Sequence, residues 1–173
     1  MDRTDFFDTL HAARGRWDAL VEGIPAERMA EPGLPGGWSV KDTIAHVTWS
    51  EREMVGVIRE RALVGSPLWA LDQDARNAAV YEEHRDRPLA EVMADERAVW
   101  AELLPALESL TGEDLTDRAR FREMDGLPPD VLPWHIFAGS TFRHYDDHSA
   151  TIRAWLGEAT AADGRERPRT EEI

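Results

Sequence analysis

Apolar residues recur at helical spacing in four long segments of the chain. The first two segments cover residues 4–24 and 40–64, and the other two begin at Pro88 and near Pro133. Spacings of three and four residues place the apolar side chains of each segment on one helical face. No stretch of useful length alternates apolar and polar residues, as a half-buried strand does. The pattern therefore predicts an all-α protein built as a four-helix bundle.

Turn formers and capping residues set the predicted limits of these helices. Ser39, followed three residues later by Asp42, resembles a capping box at the start of the second helix. Pro105 falls inside the third segment and predicts a kink or an early end. Gly157 predicts the end of the fourth helix. Residues 65–87 are less regular, and they predict a short extra helix or loop segment between the second and third main helices.

The length and composition of the chain fit a single domain. The chain has 173 residues, of which 42% are hydrophobic, so it can bury a sizeable core. We expect residues 1–157 to form one bundle domain. Residues 158–173 are polar and predict a flexible C-terminal tail.

Charge and the absence of cysteine narrow the function classes. The formal net charge is −14, and an acidic surface of that size repels nucleic-acid phosphates and anionic lipid. Without cysteine, thiolate metal ligands, cysteine nucleophiles and disulfides are excluded. The start of the chain lacks the pattern of a signal peptide, and no apolar run is long enough to cross a bilayer. These features predict a cytoplasmic protein that binds neither nucleic acid nor membrane.

Two histidines in the fourth segment are the strongest candidates for chemistry. His144 and His148 are four residues apart, so on a helix both rings point the same way. Their face is the apolar one, and imidazoles turned toward a core need partners. His46, beside the apolar stripe of the second helix, is the natural third ligand of a divalent metal. Three histidine ligands leave a coordination position open, as in catalytic metal sites.

An ordinary interpretation of the pair stays open at this point. Two histidines four apart on a helix are often held by hydrogen bonds alone. Of the remaining histidines, His11 and His84 lie in polar surroundings and are expected to be exposed. His135 is about half a turn out of phase with His144 and is not expected to join the pair.

Three stretches of the sequence resemble the DinB-like superfamily, and within it the ClbS/DfsB branch most. They are "GGWSVKDTIAHVTWSE" (residues 36–51), "TFRHYDDHSATIRAWL" (residues 141–156) and "NAAVYEEHRDRPLAEV" (residues 77–92). The first resembles the entry to the second helix of that family, and the second resembles its last helix. The third resembles a segment of the ClbS/DfsB branch.

The resemblance implies a fold, a metal site and a range of activities. It implies a four-helix bundle, commonly a homodimer, with a divalent ion between the helices. It assigns the ligand roles to His46, His144 and His148, with nickel or zinc as the first candidates and manganese or iron as further ones. Related proteins include thiol-dependent transferases and isomerases, and stress-response proteins that protect their host from reactive natural products. The sequence departs from typical metal-binding members after His148, where "SATIR" replaces a His-Arg-Gly-Gln-like run.

Other residues near the three histidines have candidate roles. Glu53 lies seven residues after His46, on nearly the same face, and is a candidate general base, although a solvated surface acid is the ordinary interpretation. Asp42, one turn before His46, has a second possible role in orienting that ring. Trp49 and Trp69 are candidates for the walls of a substrate pocket.

Three functions are compatible with the sequence. The first is a metal-dependent enzyme that acts on a small electrophilic metabolite, by hydrolysis or by transfer of a low-molecular-weight thiol. The second is a metal-free, ClbS-like protection protein that binds or opens a reactive natural product. The third is a non-enzymatic interaction module, which would have a filled core and no pocket. We favour the first.

Overall fold

The structure, a computed structural model, describes residues 1–163, and the side chains of residues 1–157. The described chain folds into eight α-helices. They are α1 (Arg3–Glu22), α2 (Ala26–Met29), α3 (Val40–Glu60), α4 (Gln73–His84), α5 (Leu89–Glu108), α6 (Gly112–Thr116), α7 (Pro133–Ser140) and α8 (Phe142–Asp163). Between residues 1 and 163 the only β pairing is an isolated bridge from Ala62 to Arg122. The all-α prediction is confirmed.

The long helices form a bundle with α3 at its centre. Helix α3 packs against α5, α1 packs against α8, and α3 also contacts α4, α7 and α8. One contiguous core fills the space between them, and its largest fully buried side chains include Trp17, Phe6, Ile44, Leu103 and Tyr145. Helix α4 is the extra segment expected between the second and third main helices. The predicted four-helix bundle is therefore confirmed.

Helix α3 begins where the sequence predicts. The backbone N–H of Asp42 donates to the Ser39 hydroxyl at 3.2 Å, and the Ser39 N–H donates to the Asp42 carboxylate at 2.9 Å. This reciprocal pair is a capping box that satisfies two backbone donors. The helix ends at Glu60, earlier than expected, because Arg61 adopts a left-handed conformation with φ 49°.

The fourth predicted helix differs from expectation at two points. Thr141 leaves helical geometry, with φ −129° and ψ −106°, so the segment divides into α7 and α8. Helix α8 then continues through Gly157 to Asp163, because a glycine ends a helix only where the backbone turns into the left-handed region. The predicted tail falls mostly on residues 164–173, which lie outside the described part.

Pro105 does not end the third helix. Helix α5 passes through it and ends at Glu108, where the N–H of Ser109 donates to the Pro105 carbonyl at 3.1 Å. A proline removes one helical hydrogen bond, and the packing of Leu103 and Leu107 in the core offsets this loss. Across residues 1–163, no helix combines the length and the apolar character that a bilayer span requires.

Candidate metal centre

The fold brings His46, His144 and His148 together in the middle of the bundle. His46 lies on α3, and the other two lie one turn apart on α8. The Nε2 atoms of His46 and His144 are 3.0 Å apart, and the ring centroids of His144 and His148 are 4.7 Å apart. One nitrogen from each ring lies within 4.8 Å of the others. The structure therefore assembles the three histidines that the sequence singled out.

Burial keeps these imidazoles neutral. It lowers the pKa of His46 to about 4, with smaller contributions from His148 and from the positive charge of Arg76. Burial also lowers the pKa of His144 well below its ordinary value, and that of His148 to a lesser degree. A neutral imidazole has a free lone pair, which is the form that binds a metal ion. At neutral pH the cluster is ready to act as a donor set.

The donor set fits a divalent transition metal. Three neutral imidazoles that converge on one point suit zinc, nickel and their neighbours. The Nδ1 atoms of His46 and His144 are buried and have no hydrogen-bond partner among the described residues. Asp42, a candidate to orient the His46 ring, is instead engaged by the Ser39 cap and by Lys41 at 3.5 Å. These two rings thus lack the outer partner that commonly strengthens such sites.

Two cavities reach the cluster from different sides. The first, of about 330 Å³, has His46 and His144 in its wall. The second, of about 460 Å³, has His46 and His148 in its wall, together with Trp38. A molecule in the first cavity would contact the imidazoles directly. The cluster is therefore accessible, as a catalytic site must be.

Trp49 and Trp69 line the first cavity, as the sequence predicts. Ser140 also lines it, one turn before His144. No hydrogen bond joins the Ser140 hydroxyl to any imidazole of the described chain, so the geometry of a serine–histidine nucleophile is not formed. Asp147 is exposed at the wall of the same cavity, where its charge raises the pKa of His148 against the effect of burial.

The structure places Glu53 in a contact that the sequence did not indicate. Its Oε2 accepts a hydrogen bond of 2.6 Å from the backbone N–H of Ser66. Glu53 is not among the residues that line either cavity. It holds the loop between α3 and α4, which carries Trp69. Its role as a general base stays a prediction.

Gly65 does not line the first cavity, but its substitution is expected to disturb Trp69 in the cavity wall. A Cβ at this position would overlap the ring of Trp69 and the Glu53 carboxylate. We expect Gly65→Ala to displace Trp69 and to lower the free energy of unfolding by about 1–3 kcal/mol, as overpacking does. Urea denaturation measures the loss, and acrylamide quenching of tryptophan fluorescence detects the displaced ring.

Gly56→Ala is the matched control, because an added Cβ there meets nothing within 4 Å and the position is exposed on α3. We expect it to stabilise the protein by about 0.5–1 kcal/mol, since alanine favours a helix over glycine. Equal effects of the two substitutions would show that Trp69 is not held against Gly65.

A buried ionic cluster on the other side of α3 was missed by the sequence analysis. Arg14 of α1 pairs with Glu96 of α5, and it lies 2.8 Å from Asp18 and 3.6 Å from Glu51. The hydroxyl of Tyr145 donates to Glu51, which is fully buried. The sequence does contain a sign of this cluster, because the charged residue Glu51 interrupts the apolar stripe of α3 and Arg14 interrupts that of α1.

The other histidines lie outside the centre. His11 is exposed, as expected, but His84 is 5% exposed, so its predicted exposure was wrong. The end of α4 packs against the bundle there, which a sequence of polar neighbours does not reveal. His135 accepts a hydrogen bond from the N–H of Leu132 at the start of α7 and stays apart from the cluster, as expected.

The fold and the three-histidine centre agree with the family to which the chain belongs. Residues 9–152 match the DinB superfamily, and the chain is a member of it. The resemblance noted from the sequence is therefore confirmed.

Solved structures of low sequence identity share the fold. One is titled Sibling Lethal Factor Precursor – DfsB, with a TM-score of 0.75, 18% identity, and coverage of 92% of this chain and 97% of that one. An uncharacterised protein from Escherichia coli UTI89 gives a TM-score of 0.73 at 13% identity, over 92% and 95% of the two chains. A protein from Streptococcus pneumoniae gives 0.75 at 12% identity, over 91% of each chain.

A curated relative shares a shorter stretch. An uncharacterised protein of Mycobacterium tuberculosis, present in strains H37Rv and CDC 1551, is 33% identical over 61 residues. The match covers 35% of this chain and 24% of that protein, so it spans about a quarter of the relative's length.

Proposed function

We propose that the protein is a metal-dependent enzyme that acts on a small electrophilic metabolite, by hydrolysis or by transfer of a thiol. His46, His144 and His148 hold the divalent ion, with nickel or zinc as the first candidates. The observation that carries the proposal is the convergence of three imidazoles, two of which, those of His46 and His144, lie in the wall of an open cavity of about 330 Å³.

Each part of the site has a defined task in this proposal. When bound, a divalent ion supplies Lewis acidity to a substrate carbonyl, an incoming thiol or water. The three imidazoles hold the ion as neutral ligands from two helices, which fixes its place in the bundle. Trp49 and Trp69 wall the cavity and exclude water from one side of the substrate.

A second candidate function is supported by the contact between His46 and His144. Their Nε2 atoms are at hydrogen-bond distance, so the pair can share a proton without any ion. The fold also resembles that of DfsB. A metal-free protection protein that binds or opens a reactive natural product uses the same cavity. An interaction module without a pocket is disfavoured, because both cavities reach the cluster.

Elemental analysis of untagged protein distinguishes these functions. We expect near-stoichiometric nickel, zinc or a similar ion in the wild type, and none in a His144→Ala/His148→Ala double variant. His11→Ala, at an exposed position away from the cluster, is the control and should keep the ion. Because the rings of His46 and His144 lack outer hydrogen-bond partners, we expect a chelator to remove the metal readily.

Circular dichroism of the double variant checks that the bundle is retained. A wild-type protein that is metal-free and takes up no added divalent ion would overturn the metalloenzyme proposal. The protection protein would then be the leading function. If the double variant keeps the metal, the ion binds elsewhere in the chain.

A further inference from the structure

The side chain of Arg76 has no partner in the described part of the chain. Most arginines there pair with an acid or donate to a carbonyl, as Arg59 does to Glu102 at 3.0 Å. Arg76 lies on α4 and is half-buried. Its backbone N–H donates to the Asp72 carbonyl at 2.9 Å, whereas its side chain makes no hydrogen bond, ion pair or aromatic contact with residues 1–157. The chain has 34 acidic residues, so partners are abundant. The guanidinium is therefore left available to a ligand.

The unpartnered guanidinium lines the cavity that contains His46 and His144. Gln73 and Asn77, from the same helix, line this cavity too, and their side chains also make no hydrogen bond within residues 1–157. Helix α4 therefore presents a row of free donors opposite the imidazoles.

The electrostatics of the cavity favour an anion locally. Arg76 is the only arginine or lysine among the residues that line it. The only acid in this lining is Asp147, which is exposed and forms no ion pair with Arg76. An anion bound at Arg76 would gain the pairing that the fold itself does not supply.

We infer that the first cavity binds a small molecule with an anionic group, a carboxylate or a phosphate, which pairs with Arg76. A guanidinium binds either group through two parallel hydrogen bonds, and the Asn77 amide can donate a further one. The apolar part of the ligand packs against Trp49 and Trp69. As a statement about the substrate, this inference rests on the proposed function, and Arg76 would set its specificity.

Binding of benzoate and of benzamide, its neutral counterpart of the same shape, tests the inference. The protein is first treated with EDTA, so that no ion can attract the carboxylate, and affinities are measured by NMR titration. We expect the wild type to bind benzoate about tenfold more tightly, a difference of about 1.4 kcal/mol. Arg76→Gln should remove the preference, and Arg76→Lys should keep part of it. Arg153→Gln, at an exposed arginine of α8, is the control that keeps it.

A titration with phenyl phosphate distinguishes the two anions. Tighter binding of phenyl phosphate than of benzoate would identify a phosphate site, and the reverse a carboxylate site. Equal affinities for benzoate and benzamide, or no binding of benzoate up to its solubility limit, would overturn the inference. Retention of the preference in Arg76→Gln would also overturn it.

The result is separable from that of the metal analysis. If the protein prefers benzoate but takes up no metal, the anion-binding cavity is supported and the metalloenzyme proposal is overturned. If the protein takes up metal but shows no preference for benzoate, the metal centre is supported and the role of Arg76 in binding an anion is overturned.

Discussion

Arg14→Met should lower the free energy of unfolding by about 3–5 kcal/mol at pH 7.5, the usual cost of leaving buried charges without their partner. The Arg14 guanidinium lies between Glu96, Asp18 and Glu51, and its carbon Cζ is 4.4 Å from the centroid of the Trp100 ring. Methionine keeps the apolar length of the side chain, so the loss reports on charge more than on packing. Urea denaturation measures it.

Arg16→Met is the matched control two residues away on the same helix. Arg16 pairs with Asp146 at 3.0 Å, as Arg14 pairs with its acids, but both side chains of this pair are more than half exposed. Exposed ion pairs contribute about 0–1 kcal/mol, because water screens them. Losses of similar size in the two variants would contradict the central role of the buried cluster.

Glu51→Gln should stabilise the protein at high pH and have little effect at low pH. Burial raises the pKa of the Glu51 carboxyl from 4.5 to about 7, although the charge of Arg14 and the hydrogen bond from Tyr145 oppose the rise. The folded state thus holds the proton more tightly than the unfolded state. The stability that this provides is complete below pH 4.5 and is lost as the pH rises through 7.

Glutamine removes this pH dependence because it cannot ionise. The two pKa values of Glu51 correspond to roughly 3 kcal/mol of stability at pH 8, where the wild type carries a buried carboxylate. The difference between variant and wild type should therefore grow from near zero at pH 4.5 to that value above pH 7. Arg14 keeps Glu96 and Asp18 as partners in the variant.

Urea denaturation of both proteins at a series of pH values gives this difference directly. The contributions of the other titrating groups are the same in both proteins and cancel. Glu60→Gln, at an exposed position of the same helix, controls for the loss of one carboxylate. A difference that is constant from pH 4.5 to 8 would show that folding does not raise the pKa of Glu51.

The buried cluster also bears on the candidate metal centre. Glu51 follows His46 on α3, and Tyr145 is next to His144 on α8. The hydrogen bond from Tyr145 to Glu51 therefore ties together the two helices that carry the histidines.

The sequence by itself determined the elements and their class. The apolar stripes predicted the long helices, and Ser39 with Asp42 predicted the start of α3, because periodicity and capping are local properties of the chain. The four-residue spacing of His144 and His148 likewise required only a helix. The place of His46 beside the apolar stripe of the second helix made it the natural third ligand, and the resemblance of residues 36–51 and 141–156 to the DinB-like superfamily implied the same assignment.

Only the tertiary structure decided how distant segments meet. It placed Arg14 beside Glu51 and bonded Glu53 to the backbone of Ser66. It also placed the unpaired side chain of Arg76 in the cavity that His46 and His144 line. Each of these outcomes depends on which helix faces packed together, and residues far apart in sequence carry no local signal for it. The break at Thr141 is of the same kind, since contacts of α7 and α8 with the bundle outweigh the helical pattern that runs through both.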